Sequence, residues 1–153
     1  MQIKSGSFQV EETIPVNYTC EGNDISPELS WIDAPENTKS FALIVDDPDA
    51  PNKTWVHWVV YNIPANMKGF PEGISEKELK DKGIKQGIND FEQESYGGPC
   101  PPHGHGQHRY YFKLYALDTV LDLKEGASKA DLEKAIEEHI LAQAEVMGRF
   151  ERE

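Results

Sequence analysis

The sequence predicts a mainly β fold with a helix near its C-terminal end, on three observations. Apolar runs rich in Val, Ile, Phe, Tyr and Trp occur at Ser40–Val45, Trp55–Ile63 and His108–Leu117. Runs of that length and composition read as strands buried on both faces. Prolines and glycines punctuate them: DDPDAP closes the first, Pro64 the second, and a Gly/Pro-rich segment from Tyr96 leads into the third. Beyond Ser128 the apolar spacing changes from strand-like to helical.

In chain order, residues 14–20 (IPVNYTC) read as a short strand closed by the turn-like EGND. The three long runs follow. Between the second and third, residues 68–95 are polar and Gly-containing, with a short helix expected at SEKELKDK. A connection that long in one domain usually carries function or folds over something. Ser128 with Asp131 forms a capping-box pattern. Leu132, Ala135, Ile136, Ile140, Ala144 and Met147 then recur at helical spacing, so an amphipathic helix is expected over 129–148, covering one side or edge of the sheet.

The whole chain bounds the function. Its 153 residues fit a single domain over 1–153 with a real core. Acidic residues number 27 against 15 basic, a formal charge of −12, which opposes nucleic acid and anionic membranes as general partners. No run approaches the ~20 apolar residues of a membrane span, and the N-terminus lacks a secretory pattern. The expectation is a cytoplasmic protein without integral membrane association. Cys20 and Cys100 are the only cysteines and match no CxxC metal pattern. Two free thiols in a reducing compartment are the expectation.

Polar residues collect at the strand ends. With strict alternation, Trp55, His57, Val59 and Tyr61 share one face, and His108, Tyr110, Phe112 and Leu114 share another. Asp46, Asp47 and Asp49 stand where the first long run stops, and Pro48 and Pro51 hold them in extended or turn geometry. If these ends meet, a carboxylate, two imidazoles and a tyrosine converge in a partly apolar cavity. Two partly protonated histidines beside the N–H groups of a Gly-rich turn would suit phosphate or carboxylate. Trp55 and Tyr110 would supply the walls.

Each member has an ordinary reading. A single His on an apolar strand is usually a hydrogen-bonded core residue, an Asp-Pro pair is usually a turn, and glycines serve left-handed backbone. Only the combination argues for a site. His103, His105 and His108 form an HxHxxH cluster, the rival metal reading, but no fourth ligand stands in register. GxSxG, HExxH and GxxxxGK[ST] patterns are absent. An Asp/His pair could perform acid–base work, so a hydrolase stays open as an alternative to binding. No catalytic residue, resident metal or cofactor is predicted.

Taken together, DPDAP at 47–51, WVHW at 55–58, YGGPC at 96–100 and PPHGHGQHRY at 101–110 resemble the phosphatidylethanolamine-binding protein family. The likeness is to its short prokaryotic, Raf-kinase-inhibitor-like branch, in family order over roughly residues 14–150, with NDISP at 23–27 also in place. The resemblance implies a large central β-sheet packed on a smaller sheet with a few peripheral helices. It also implies a cavity for anions such as phosphate or a phospholipid headgroup. Asp47, His57, His108 and Tyr110 would line it, Trp55, Pro51 and Pro102 would wall it, and the Cys100 backbone would offer an N–H. Some members inhibit a protease or kinase by protein contact, and relatives imply a homodimer, although no stretch here marks an interface.

Overall fold

Strands account for most of the regular structure, which the computed structural model describes for residues 1–153. In chain order they are β1 (Gln2–Lys4), β2 (Leu29–Ile32), β3 (Ser40–Asp47), β4 (Trp55–Pro64), β5 (Gly69–Phe70), β6 (Lys85–Gln86), β7 (His108–Leu117) and β8 (Ile140–Phe150). Helix α1 spans Glu76–Asp81 and α2 spans Lys129–Ile136. The large sheet has the order β6-β4-β3-β7-β8 and the small one β1-β2-β5, every named pair antiparallel. No helix is long and apolar enough to cross a membrane.

The alternation of β3 explains its central place. Leu43 and Val45 join a core with Trp31 and Phe70 of the small sheet, whereas Ala42 and Ile44 join a second core with Leu132 and Ile136 of α2. Every residue of β3 is buried, as its unbroken apolar run predicts. Strand β7 differs. Tyr110, Phe112 and Leu114 are buried, while Arg109, Tyr111, Lys113 and Tyr115 are only half-buried. Helix α2 is one of the two short helices, and the core beneath it also takes Val59 and Tyr61 of β4 and Leu117 of β7.

Four expectations are corrected. The expected strand at residues 14–20 is a 3-10 turn at Val16–Tyr18, entered through Pro15. The helix expected to reach residue 148 stops at Ile136, although its capping box forms as read. Residues 140–150 instead pair along almost the whole of β7. Burial of Val146, Gly148 and Phe150 shows the strand period that Ala142, Ala144 and Glu145 masked, and tertiary pairing overrides helix propensity here. Gly148 admits the N-terminal segment, because a Cβ there would lie 2.6 Å from Ile14 Cγ1.

The third correction is a β-bulge. Val45 pairs with Trp58 and Asp46 with Val56, so His57 is the extra residue on β4. Alternation resets there. Val59 and Tyr61 pack in the core beneath α2, while His57 turns to the opposite side with Trp58. The face expected to carry Trp55, His57, Val59 and Tyr61 together is thus split. The fourth concerns the cysteines. Cys20 and Cys100 form a disulfide, with Cα atoms 5.4 Å apart and 80 residues between them in sequence. No free thiol remains.

Candidate binding site

The C-terminal end of β3 and the N-terminal ends of β4 and β7 lie side by side, because antiparallel pairing sets Asp47 opposite Trp55 and Asp46 opposite Tyr111. A cavity of about 280 Å³ opens there. All eight residues named from the sequence line it: Asp47, Pro51, Trp55, His57, Cys100, Pro102, His108 and Tyr110. Ala50, Phe91 and Pro101 complete the wall.

The turn after β3 is held by its own carboxylates. Asp47 Oδ1 accepts from the Asp49 backbone N–H at 2.7 Å, the local bond that lets Asp initiate turns. Asp49 accepts from the Arg109 backbone N–H and Nε at 2.9 Å each, and from Nη2 at 2.8 Å. This fork ties the turn to the start of β7. The Arg109 guanidinium holds the Asp49 carboxyl below its ordinary range.

His57 donates from Nδ1 to the Gly97 carbonyl at 2.7 Å. Burial pulls its pKa below the ordinary 6.5, which outweighs the opposing effect of that bond and of Asp47. The ring is neutral at neutral pH, with Nε2 an acceptor lacking a protein partner. The sequence expectation of two partly protonated imidazoles is therefore corrected at His57. Gly97 and Gly98 allow the close approach of this loop. A Cβ at Gly97 would lie 2.5 Å from the Phe91 ring, and one at Gly98 would collide with the Tyr18 carbonyl and the Asp24 carboxylate. Asp24 instead accepts from Gly98 N–H at 2.7 Å.

His108 and Asp47 form a buried pair, Nδ1 to Oδ2 at 2.6 Å. The other ring nitrogen of His108 is also taken: Nε2 lies 2.7 Å from His105 Nδ1. Tyr110 stands beside them, its ring edge-on to His57 and stacked on His108. Its hydroxyl is enclosed and has no hydrogen-bond partner. Burial, then the negative charge of Asp47, pushes the phenol well above its ordinary 10.0.

Phe91 is the residue sequence reasoning missed. It sits edge-on to both Trp55 and His57, with ring centroids 5.6 and 5.4 Å away. Asn89 sets its position by accepting from Phe91 and Gln93 N–H and donating to the His57 and Ser95 carbonyls. The Asn89-Asp90 pair before an isolated aromatic was the available signal. Of the HxHxxH histidines only His105 and His108 meet. His103 Nδ1 faces the Glu153 carbonyl at 2.9 Å, and no group of three or more His, Cys, Asp or Glu is arranged to hold a metal ion. Asp46 falls on the opposite side of the sheet, bonded to Lys113 and Lys129.

Comparison with known proteins places these features in context. The profile of the phosphatidylethanolamine-binding protein family matches residues 4–151. A UPF0098 protein of Aquifex aeolicus is 53% identical over all of this chain and 90% of its own length. The crystal structure of Escherichia coli YbcL, described as a new member of the mammalian PEBP family, superposes with TM-score 0.92 at 36% identity, covering 99% of this chain and 98% of that one. A carboxypeptidase Y inhibitor, solved with its cognate proteinase, shares the fold at TM-score 0.59 and 18% identity over 99% of this chain and 82% of its own.

Proposed function

The chain belongs to the phosphatidylethanolamine-binding protein family, and from that premise we propose that it binds a small anionic group, a phosphate or its headgroup-like ester. The observation that carries the reading is the Tyr110 hydroxyl, enclosed and unpartnered on a cavity-lining residue. Such a donor is costly unless something accepts from it. His57 adds an acceptor with no protein partner. An occupant that both accepts and donates, as a phosphate monoanion does through P=O and P–OH, satisfies both. Trp55, Phe91, Pro51 and Pro102 offer apolar walls for the rest of a ligand.

Titration calorimetry with inorganic phosphate and phosphoethanolamine tests this reading. Heat from either, lost in Tyr110→Phe, is the expected result. No heat from either at any pH between 5 and 8 would sink it.

Catalysis is the weaker use of this cavity. Its lining has no Ser, Thr or Lys, and Cys100 is tied in the disulfide. Hydrolysis would then use water activated by His57 or by the Asp47–His108 pair, and generic esterase and phosphatase screens address that directly.

A second reading draws on the fold shared with the carboxypeptidase Y inhibitor: inhibition of a protease by surface contact. The exposed stretch around α1 is the surface it would use. A protease panel run with wild type and a His57→Ala, His108→Ala double variant separates the two, since contact away from the cavity survives the double change. The expected cytoplasmic location now has to accommodate a disulfide. Such bonds persist in oxidising compartments and in the cytosol of hyperthermophiles, and thiol titration of protein from its native host decides between these and a reduced state.

A further inference from the structure

We propose that the cavity selects the phosphate monoester of an apolar, ring-bearing alcohol over an ammonium-bearing one, and that Phe91 with Trp55 makes the selection. The inference rests on the anion-binding reading and names the class of ligand for that same site.

The wall is more apolar than a bare phosphate needs. Ala50, Pro51, Trp55, Phe91, Pro101 and Pro102 all line it. An oxyanion alone leaves these groups against water, and covering them takes an apolar substituent on the ligand. Phe91 is 37% exposed, yet its backbone is pinned. The buried Asn89 accepts from its N–H at 2.9 Å, and the neighbouring Asp90 N–H donates to the Val56 carbonyl at 3.0 Å. Trp55 meets the Phe91 ring at 71°, with centroids 5.6 Å apart. The pair is a preformed apolar corner against which a third ring can pack edge-on or offset, with little left to order on binding.

The same wall is unsuited to an ammonium group. Away from water an ammonium needs a carboxylate or the face of an aromatic ring, of which Trp is the best. The lining holds one carboxylate, Asp47, and its oxygens are taken by the Asp49 N–H and by His108. Trp55 already carries a cation. Lys53 Nζ lies 5.8 Å over its ring and is held there by Asp90 at 2.9 Å. A second positive charge brought to Trp55 stands against that of Lys53.

The test is calorimetry with inorganic phosphate, phenyl phosphate and phosphoethanolamine on wild type, Phe91→Ala and Lys53→Met. Wild type is expected to bind phenyl phosphate at least about 10-fold tighter than inorganic phosphate, and phosphoethanolamine no tighter than inorganic phosphate. Phe91→Ala should weaken phenyl phosphate about 3- to 10-fold and leave inorganic phosphate unchanged, which also shows the variant to be folded. Lys53→Met should raise the affinity for phosphoethanolamine relative to inorganic phosphate about 2- to 5-fold. Phosphoethanolamine binding tighter than inorganic phosphate in wild type overturns the selection and leaves the anion site standing. So does phenyl phosphate binding no tighter than inorganic phosphate. A loss in Phe91→Ala that both ligands share, or no loss at all, overturns the role of Phe91. An unchanged ratio in Lys53→Met overturns the exclusion of ammonium by Lys53. No heat from any of the three ligands removes the anion site and the selection together.

Discussion

Tyr110 and His57 meet edge to face, ring centroids 5.2 Å apart, and each keeps a polar atom that no protein group satisfies. In a core this arrangement is a cost. Tyr110→Phe removes an unpartnered buried hydroxyl and is expected to leave stability unchanged or raise it by up to about 1 kcal/mol. It should also abolish phosphate heat. The raised phenol pKa gives a second signature. Its contribution to stability is complete below the ordinary 10.0 and fades as pH rises beyond it, so the variant should resist alkaline unfolding better than wild type. A large drop in thermal midpoint would show the hydroxyl to be satisfied after all.

His57 makes a prediction at the acid end. Its folded pKa lies below the ordinary 6.5, so the unfolded chain takes up a proton that the folded chain refuses. Stability from this group is complete above pH 6.5 and is lost as pH falls toward the folded pKa, with a slope of at most about 1.4 kcal/mol per pH unit. Urea unfolding of wild type and His57→Gln between pH 7 and 5 should show the slope shrinking in the variant. Parallel pH profiles would contradict a buried neutral ring.

The two aspartates of the turn should separate by burial. Asp47→Asn removes the carboxylate that accepts from buried His108 Nδ1 and is expected to cost about 1–3 kcal/mol. Arg109→Ala breaks the half-exposed fork on Asp49, which solvent screens, and should cost less than Asp47→Asn. Denaturant midpoints on both variants check the ranking. The reverse order would mean that the fork, rather than the buried pair, holds the turn in place.

Reduction of Cys20–Cys100, or replacement of both residues by alanine, should lower stability by about 2–5 kcal/mol, in keeping with a cross-link between residues 80 apart. Phosphate affinity should fall as well, because Cys100 lines the cavity. Unfolding with and without dithiothreitol measures the first effect, and unchanged midpoints would refute it.

Much of this was legible in the sequence because β-branched and aromatic runs bounded by proline leave few alternatives for β3, β4 and β7. The cavity followed from the ends of those three strands. Four features were not legible, each for a physical reason. The bulge at His57 depends on pairing with β3, and alternation within β4 alone misplaces Val59 and Tyr61. Strand β8 is spelled largely in residues that also suit helices, and only its pairing with β7 decides. Cys20 and Cys100 come together through the folded chain, which their spacing does not reveal. The His105–His108 contact likewise arises from a loop reversal at two glycines, and the motif carrying it reads more readily as metal ligands.

The disulfide has a topological consequence. It closes a covalent ring over residues 20–100, which holds Asp47, Pro51, Trp55, His57 and Phe91, while His108 and Tyr110 lie on the tail outside it. The exposed residues 71–73, 75–78 and 80–83 all fall inside the ring. A single proteolytic cut among them opens the backbone but releases no fragment, and the clipped chain runs as one piece until it is reduced. If this surface meets a protease, being cut does not by itself end the encounter.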